Sequence, residues 1–474
     1  MNLKFKNFTK NFTYTFTSKV ISTIISMFMI LIVPKYLGIS QFSYWQLYIF
    51  YLNYIGILGI GWSDGIYLKI GGYKYNELNK PLLISQFWLM TFVQTVFSLI
   101  FILFTIIFGT DSDKTFILII TSISGFFLII RSLFYYVLEA TNRIKEFALI
   151  NLIDRILYFV FTLLALYMHI DSYKPLILVD MFAKIVTVII LIYICKDMVF
   201  GNSVSLKTAL NDARSNISIG IKLLLANIAS TLIIGIVRWA IELKWDIETF
   251  GKVSLTLSIS NLLMLFVNSV GVVMFPMLRQ SSNERLPSMY IQMRTAIMLP
   301  LLACLVFYYP VNLLLSDWLP QYTESLKYMA IILPICIFES KISMLINTYL
   351  KTLRKERTIL MVNVITLLLS LISTVLFVFI LRDLTLAVFS IYMLLAIRCI
   401  LAEILLSRSI KINVQRDIIL EVTVTLLFIL SSWFIGGLYG FLLYLCVYIV
   451  YFLLKRKDFY DLITFLRTLL LKKR

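Results

Sequence analysis

Charged residues inside long apolar segments are the positions of this sequence best suited to bind or move a charged ligand. A charge inside hydrocarbon is costly, so such residues usually face a cavity within the protein or pair with one another. The deepest of them are Arg131, Arg155, Lys184, Lys222, Lys341, Arg398, Asp154, Asp180 and Glu339, and Lys19 is a shallower counterpart of Lys222. They predict that several of the apolar segments line a polar cavity.

Some of the buried cations are candidates to bind an anionic substrate, because phosphate oxygens shed water only where charged donors replace it. These candidates are Arg155, Lys222, Lys184, Lys19 and Arg131. Local pairing is the alternative. Asp180 and Lys184 are four residues apart on one predicted helix, and Asp154 adjoins Arg155, so each cation has a carboxylate within reach along the chain.

The acids of these segments, Asp154, Asp180 and Glu339, are candidates for ion coupling. Lys341 and Arg398 are expected near enough to the inner surface for their long side chains to extend into water. The five cysteines lie singly, without the spacing of metal ligands. The sequence therefore predicts neither a metal site nor a cofactor.

The composition is that of a membrane protein. Hydrophobic residues make up 60% of the 474, charged residues only 14%, and the mean hydropathy is +0.92. A soluble chain has roughly 25% charged residues. The formal net charge of +18 comes from basic residues dispersed at the ends of apolar runs, so it indicates membrane topology and not a nucleic-acid partner.

A spanning helix needs about 20 mostly apolar residues, and fourteen segments satisfy this length. They run at about 13–34, 42–64, 82–108, 115–138, 147–168, 174–195, 217–241, 252–277, 290–315, 325–350, 358–380, 384–406, 416–436 and 438–454. The sequence therefore predicts an all-α integral membrane protein with about 14 transmembrane helices.

Orientation follows from the distribution of lysine and arginine, since positive loops stay on the cytoplasmic side. With both termini inside, 29 of these residues fall in cytoplasmic loops and the tail, and six fall outside. The alternation holds at every loop. Both termini are therefore predicted in the cytoplasm, and the outer loops, of about a dozen residues or fewer, leave no room for an external domain.

Two weak repeats suggest that the chain is built from related halves. Lys19 and Lys35 are sixteen residues apart, as are Lys222 and Arg238, and the segment 142–146 resembles 353–356. Both comparisons place helices one to six over helices seven to twelve in the same orientation. They predict two parallel six-helix lobes, residues 1–200 and 201–410. Residues 411–474 add two C-terminal helices and an amphipathic cytoplasmic tail.

Several stretches resemble the Wzx-type polysaccharide flippases of the multidrug/oligosaccharidyl-lipid/polysaccharide exporter superfamily. Val33-Pro-Lys-Tyr-Leu-Gly-Ile-Ser-Gln-Phe-Ser-Tyr-Trp is similar to their stretch between helices one and two, and Gly56, Gly59 and Gly61 resemble its glycine-rich continuation. Glu139-Ala-Thr-Asn-Arg-Ile-Lys-Glu-Phe-Ala resembles the loop after helix four, and Met274-Phe-Pro-Met-Leu the end of helix eight. The resemblance runs over about 1–410 and continues through two further helices.

The resemblance implies a V-shaped pair of lobes around a cavity that opens alternately to each side of the bacterial cytoplasmic membrane. Its substrate would be an undecaprenyl-pyrophosphate-linked oligosaccharide, moved outward for capsule or O-antigen synthesis. The implied partners are the lipid-linked oligosaccharide, membrane lipids, and a polysaccharide polymerase with other assembly proteins. The chain is then a transporter and not an enzyme.

Two other functions stay open at this stage. A small-molecule exporter of the same superfamily would share the lobes but normally has twelve helices and an apolar or acidic cavity. A membrane polysaccharide polymerase or a glycosyltransferase would need a sizeable outer loop bearing acid/base residues. The buried cations and the two extra helices favour the lipid-linked substrate.

Overall fold

The computed structural model describes residues 3–168, 171–279 and 286–471, except for the side chains of 3–13, 15, 263, 265–279 and 465–471. These residues are almost entirely helical, and no strand occurs among them. Helices dominate because a spanning segment has no water to satisfy its peptide groups and must pair them within itself. The chain divides into two compact units, here the N-unit (Met1–Ile228) and the C-unit (Ala229–Arg474).

Eight helices begin in the N-unit. They are α1 (Leu3–Tyr36), α2 (Ile39–Ile55), α3 (Trp62–Ile70), α4 (Lys80–Phe108), α5 (Ser112–Ala140), α6 (Ile144–Tyr167), α7 (Tyr173–Ile194) and α8 (Leu206–Lys244). The second predicted segment is interrupted: α2 leads through a 3-10 turn, Gly56–Gly59, into the short α3. The boundary between the units falls within α8.

The C-unit contains the end of α8, eight further long helices and the short helix Thr323–Leu326. The long helices are α9 (Ile247–Arg279), α10 (Leu286–Trp318), α11 (Met329–Thr352), α12 (Glu356–Ile380), α13 (Leu384–Ile410), α14 (Gln415–Ile435), α15 (Gly437–Leu454) and α16 (Arg456–Leu471). A 3-10 turn at Leu305–Phe307 interrupts α10, and π-helical turns occur within α11, α12 and α14. The predicted amphipathic tail corresponds to α16.

The predicted all-helical membrane fold is confirmed. Twelve helices of the described chain are long and apolar enough to cross a membrane, which makes this a multi-pass membrane protein. The two predicted segments outside that set are the second, which is interrupted, and the eighth, which forms α9 with its last 15 side chains, those of 265–279, not described. The segment 274–278 of the family resemblance lies among them. The total of fourteen spans and the cytoplasmic termini stay predictions.

The same backbone turn ends a helix in each unit. After α5, Asn142 adopts a left-handed conformation (φ 62°) and the Arg143 amide donates to the carbonyl of Leu138 at 2.8 Å. After α11, Arg354 (φ 55°) and Lys355 repeat this arrangement, with a 2.7 Å bond to the carbonyl of Leu350. This is a Schellman-type helix end. It falls on the two segments whose sequences resemble each other, while the lobe boundaries at 200 and 410 stay predictions.

Three glycines allow α8 to approach α3 at backbone distance within the N-unit. A Cβ atom added at Gly220 would lie 1.9 Å from the carbonyl oxygen of Gly61, and one at Gly65 would lie 1.8 Å from that of Asn216. Gly61 also has φ 74°, which favours glycine. Small residues let membrane helices pack this closely, where dispersion and polar contacts are strongest. The first half of α8 is thereby fixed on the N-unit core.

Candidate functional site

The ionisable residues predicted from the sequence gather on adjacent helices of the N-unit. Arg131 is on α5, Asp154 and Arg155 are on α6, and Asp180 and Lys184 are on α7. These helices pack against one another, and α2 packs against α5 and α7. We call these five residues the charged cluster. It brings together five of the sequence candidates for substrate or ion contact.

Asp180 and Lys184 form the pair that their four-residue spacing allows. The Lys184 ammonium contacts Oδ2 of Asp180, and the Lys184 side chain is buried. The Tyr48 hydroxyl, from α2, also lies 2.5 Å from Asp180 Oδ2 and 2.9 Å from Ser124 Oγ on α5. Lys184 therefore has its charge compensated by Asp180, whose carboxylate also accepts from Tyr48 of α2.

Asp154 pairs across helices and not with its neighbour in the chain. Its Oδ1 lies 2.8 Å from NH1 of Arg131, and both side chains are largely buried. The contact is an ion pair between α5 and α6. The guanidinium of Arg131 also lies over the Tyr135 ring, 5.2 Å from its centroid. The alternative that Asp154 compensates Arg155 is therefore wrong.

Arg155 is the surplus charge of the cluster. The cluster has three cations and two carboxylates, and both carboxylates are occupied by Arg131 and Lys184. Arg155 is exposed and takes part in no ion pair among the described residues, although it is near enough to Asp180 to interact electrostatically. It lies eleven residues from the start of α6, about 16 Å along the axis. Its charge is deep in the span and open to a ligand.

Lys19 lies on α1, which packs against α6 in the same direction. Ser18 donates to the carbonyl of Ala148 at 3.0 Å, and the rings of Phe28 and Phe159 are 6.3 Å apart. This register places Lys19 about six residues nearer the helix starts than Arg155, roughly 9 Å along the axis. Lys19 is exposed and has no ion pair in the described part of the chain.

Lys222 is also exposed and forms no ion pair among the residues described. It is two residues beyond Gly220, the glycine that contacts α3, so its side chain is rotated by about 200° around α8. Close packing on one face of α8 thus leaves Lys222 on another. Three of the cations predicted to bind substrate, Lys19, Arg155 and Lys222, are therefore exposed in the N-unit.

Glu339, the third acid proposed for ion coupling, is paired in the C-unit. Its Oε1 accepts from NH1 of Arg398 at 2.6 Å. Arg398 also donates to Asn363 at 2.9 Å and to Ser230 at 2.7 Å. The Arg398 side chain is 4% exposed, so the expectation that it extends to the inner surface is wrong. It is held because one guanidinium satisfies acceptors from three other helices.

A buried network of charges in the C-unit was not predicted from the sequence. Arg294 on α10 contacts Glu403 on α13 and Glu421 on α14, each at 2.8 Å. Lys341 on α11 contacts the same two carboxylates and is 2% exposed, so its expected extension to the inner surface is also wrong. Asp417 adds a 3.1 Å contact to Arg294. The only signal in the sequence was the set of acids in the predicted spans, which gave no indication of partners.

The described residues contain no group of three or more His, Cys, Asp or Glu arranged to hold a metal ion. Paired charges such as Arg294 and Glu403 neutralise each other and connect the helices that carry them. Exposed cations without carboxylate partners can instead contribute charge and hydrogen-bond donors to an anion. The geometry therefore divides the predicted cations into two groups. Arg131, Lys184, Lys341 and Arg398 are paired, and Lys19, Arg155 and Lys222 are open.

Comparison with solved structures shows a fold that this chain shares with membrane proteins of known structure. No protein-family model matches the sequence, and no curated protein matches it. The chain is similar in structure to an inward-facing multidrug resistance MATE family transporter of the MOP superfamily, with a TM-score of 0.60 and 12% identity over 83% of this chain and 98% of that one.

A second solved structure aligns over more of the chain. It is the lipid II flippase MurJ in an inward closed conformation, with a TM-score of 0.69 and 16% identity over 94% of this chain and 99% of that one. A MATE transporter in complex with MaL6 has a TM-score of 0.54 at 11% identity, over 84% of this chain and 96% of that one. At sequence identities of 11–16%, the structural similarity is evidence for the fold alone.

Proposed function

We propose that this protein moves an undecaprenyl-pyrophosphate-linked oligosaccharide from the inner to the outer face of a bacterial cytoplasmic membrane by alternating access. The repeat unit would serve capsule, O-antigen or a similar polysaccharide. A polysaccharide polymerase and other assembly proteins would act on the product. The observation that carries the proposal is the set of exposed cations on long apolar helices, Lys19, Arg155 and Lys222, that form no ion pair among the described residues.

The cations support an anionic substrate on energetic grounds. An arginine or lysine at the centre of a spanning helix costs about 2.5–3.5 kcal/mol on insertion scales. Arg131 and Lys184 offset this cost with buried carboxylates. Arg155 and Lys222 have no such partner among the described residues. A pyrophosphate, with its dense negative charge and many acceptor oxygens, is the group that these side chains are suited to bind.

The fold comparisons support the same choice over a small-molecule exporter. The structure named as a lipid II flippase aligns over 94% of this chain, and the multidrug transporter over 83%. The more extensive alignment is therefore the one with the lipid II flippase. Export of a small molecule is the second candidate, supported by the MATE likeness at a TM-score of 0.60.

Asp154, Asp180 and Glu339 stay our candidates for ion coupling. Each is paired with a cation here, Asp154 with Arg131, Asp180 with Lys184 and Glu339 with Arg398. Coupling at any of them would require that pair to separate in another conformation, because a carboxylate occupied by a guanidinium or ammonium has little affinity for a second cation.

The test is export of the native lipid-linked glycan in a deletion strain complemented with Arg155→Ala or Lys222→Ala at matched membrane levels. Loss of one charge-assisted contact, about 1.5–3 kcal/mol, corresponds to a decrease of roughly 10- to 100-fold. Lys207→Ala is the control, since Lys207 is an exposed lysine of α8 fifteen residues from Lys222 with no ion pair in the described chain. Arg155→Lys should retain part of the activity.

Normal export in both alanine variants would remove the cations from the mechanism. Ethidium efflux measured in the same strains separates the two candidate functions. Efflux without glycan export would favour the small-molecule transporter, whereas accumulation of the lipid-linked repeat unit in the deletion strain would favour the flippase.

A further inference from the structure

An aromatic cavity lies in the C-unit at the end opposite α16. It is formed by the last turns of α10, Lys327 in the turn before α11, and the junction of α14 with α15. Its volume is about 580 Å³, within the roughly 300–1,000 Å³ of cavities that hold drug-sized ligands. The lining residues include Tyr308, Tyr309, Trp433 and Phe441. The charged cluster belongs to the other unit and contributes nothing to this cavity.

The backbone around the cavity has a shape that few sequences adopt. α14 ends in a π-helical turn, Ser431–Ile435, and the chain then reverses through Gly436 (φ 62°) and Gly437 (φ 51°). Two successive positive φ angles favour glycine. A π-turn in an otherwise α-helical segment is frequent at functional sites. Trp433, Gly436 and Gly437 from this junction all line the cavity.

The rim of the cavity is apolar and exposed. Leu313, Ile435 and Leu438 line it and are 64%, 53% and 69% exposed, and the neighbouring Phe434 and Tyr439 are 75% and 80% exposed. On helix ends of a multi-pass protein, such side chains face lipid or the membrane interface. A ligand entering past this rim therefore comes from the bilayer.

The charge of the lining has one sign. Lys327 is the single charged residue among those lining the cavity; it is exposed and forms no ion pair in the described chain. Asn312, also in the lining, has a buried Oδ1 without a hydrogen-bond partner among the described residues. The hydroxyls deeper in the wall are satisfied, since Tyr309 lies 3.0 Å from both Ser431 and Ser432. The open groups are thus one cation and one acceptor.

We propose that this cavity binds an anionic glycerophospholipid, with an acyl chain among the aromatic rings, the phosphate at Lys327 and a headgroup hydroxyl donating to Asn312. The chemistry follows from the open groups: a cation for phosphate, an acceptor for a hydroxyl and an apolar interior for the chain. Phosphatidylglycerol has all three. Tyr309 lies nine residues, about 14 Å, from the end of α10, so the cavity extends from headgroup level towards the hydrocarbon. On the predicted topology this is the outer leaflet.

The test uses Trp433 as a reporter of the bound chain. Full-length protein is reconstituted in phosphatidylcholine vesicles that contain a minor fraction of phosphatidylglycerol with brominated acyl chains. Tryptophan quenching in the wild type is compared with that in Trp433→Phe, which isolates this residue from the other six. We expect brominated phosphatidylglycerol to quench Trp433 more strongly than the same fraction of brominated phosphatidylcholine.

The matched variants are Lys327→Gln and Lys244→Gln. Lys244 is another exposed lysine of the C-unit without an ion pair among the described residues, but it does not line the cavity. Lys327→Gln should raise the phosphatidylglycerol fraction for half-maximal quenching roughly fivefold, and Lys244→Gln should leave it unchanged. Equal quenching by both lipids, or no effect of Lys327→Gln, would overturn the proposal. Native mass spectrometry of retained lipid gives an independent reading that does not depend on transport.

Discussion

The Nε atom of Arg294 donates to Oε1 of Glu403 at 2.8 Å and joins α10 to α13 inside the C-unit. Glu403 also accepts from the Tyr290 hydroxyl at 2.8 Å and contacts Lys341. Arg294 and Lys341 share a second carboxylate, Glu421, which comes from α14. Helix α14 is therefore part of the charge balance of this unit.

Glu403→Gln should destabilise the C-unit strongly. The substitution leaves Arg294 and Lys341 with one buried carboxylate between them, and breaking a buried ion pair typically costs about 3–5 kcal/mol. The measurement is thermal unfolding of the purified protein in detergent. Glu356→Gln is the control, since Glu356 is exposed and outside any described ion pair. Equal unfolding temperatures for the two variants would show that the network contributes little.

Gly220→Ala should weaken the attachment of α8 to α3. The new methyl group would lie 1.9 Å from the carbonyl oxygen of Gly61 and 2.5 Å from the amide nitrogen of Gly65, so the backbones must separate. Overpacking of this kind costs about 1–3 kcal/mol. Gly56→Ala is the matched control, because Gly56 is right-handed with no atom within 4 Å of the added Cβ. A lower unfolding temperature for Gly220→Ala alone is the expected result, and a shift shared by both variants would contradict it.

Asp197, in the loop between α7 and α8, should add stability that is lost in acid. Partial burial acts to raise its pKa, but Lys80 at 2.9 Å and the Tyr75 hydroxyl at 2.7 Å outweigh burial and lower the pKa below its ordinary value. A lowered folded-state pKa stabilises the protein above the unfolded value of about 3.9. The contribution disappears as the pH falls below that value through the folded pKa.

The corresponding measurement compares the unfolding temperatures of wild type and Asp197→Asn between neutral pH and about pH 3. The wild type should be the more stable above about pH 5, and the difference should shrink below about pH 4. Asp171→Asn is the control, since Asp171 is exposed without an ion pair in the described chain. A difference that is constant across the range would show that the Asp197 carboxylate does not titrate differently in the folded protein.

The helices were predictable because twenty apolar residues in a row have only one way to satisfy their peptide groups in lipid. The third predicted segment, 82–108, corresponds to Lys80–Phe108, and the fifth, 147–168, to Ile144–Tyr167. The interruption of the second segment was not predicted. Its glycines were noted as part of a resemblance, but the left-handed angles at Ile60 and Gly61 depend on contacts with other helices.

The partners of the charges were predictable only within one helix. Asp180 and Lys184 are four residues apart and meet on one face, whereas adjacent residues such as Asp154 and Arg155 point about 100° apart. Asp154 meets Arg131 because of the way α5 and α6 are rotated against each other. Glu403 lies 109 residues from Arg294, and no pattern in the sequence between them indicates that contact.

The interruption between α2 and α3 also affects how the chain enters the membrane during synthesis. Neither part spans alone, since 17 residues extend about 26 Å and nine about 14 Å. The carbonyl of Leu58 at the break is satisfied at 2.9 Å by the side-chain amide of Gln94, on α4. We therefore expect this segment to insert into the bilayer only after α4 and α5 have been synthesised. Folding of this region then depends on the order in which its helices are translated.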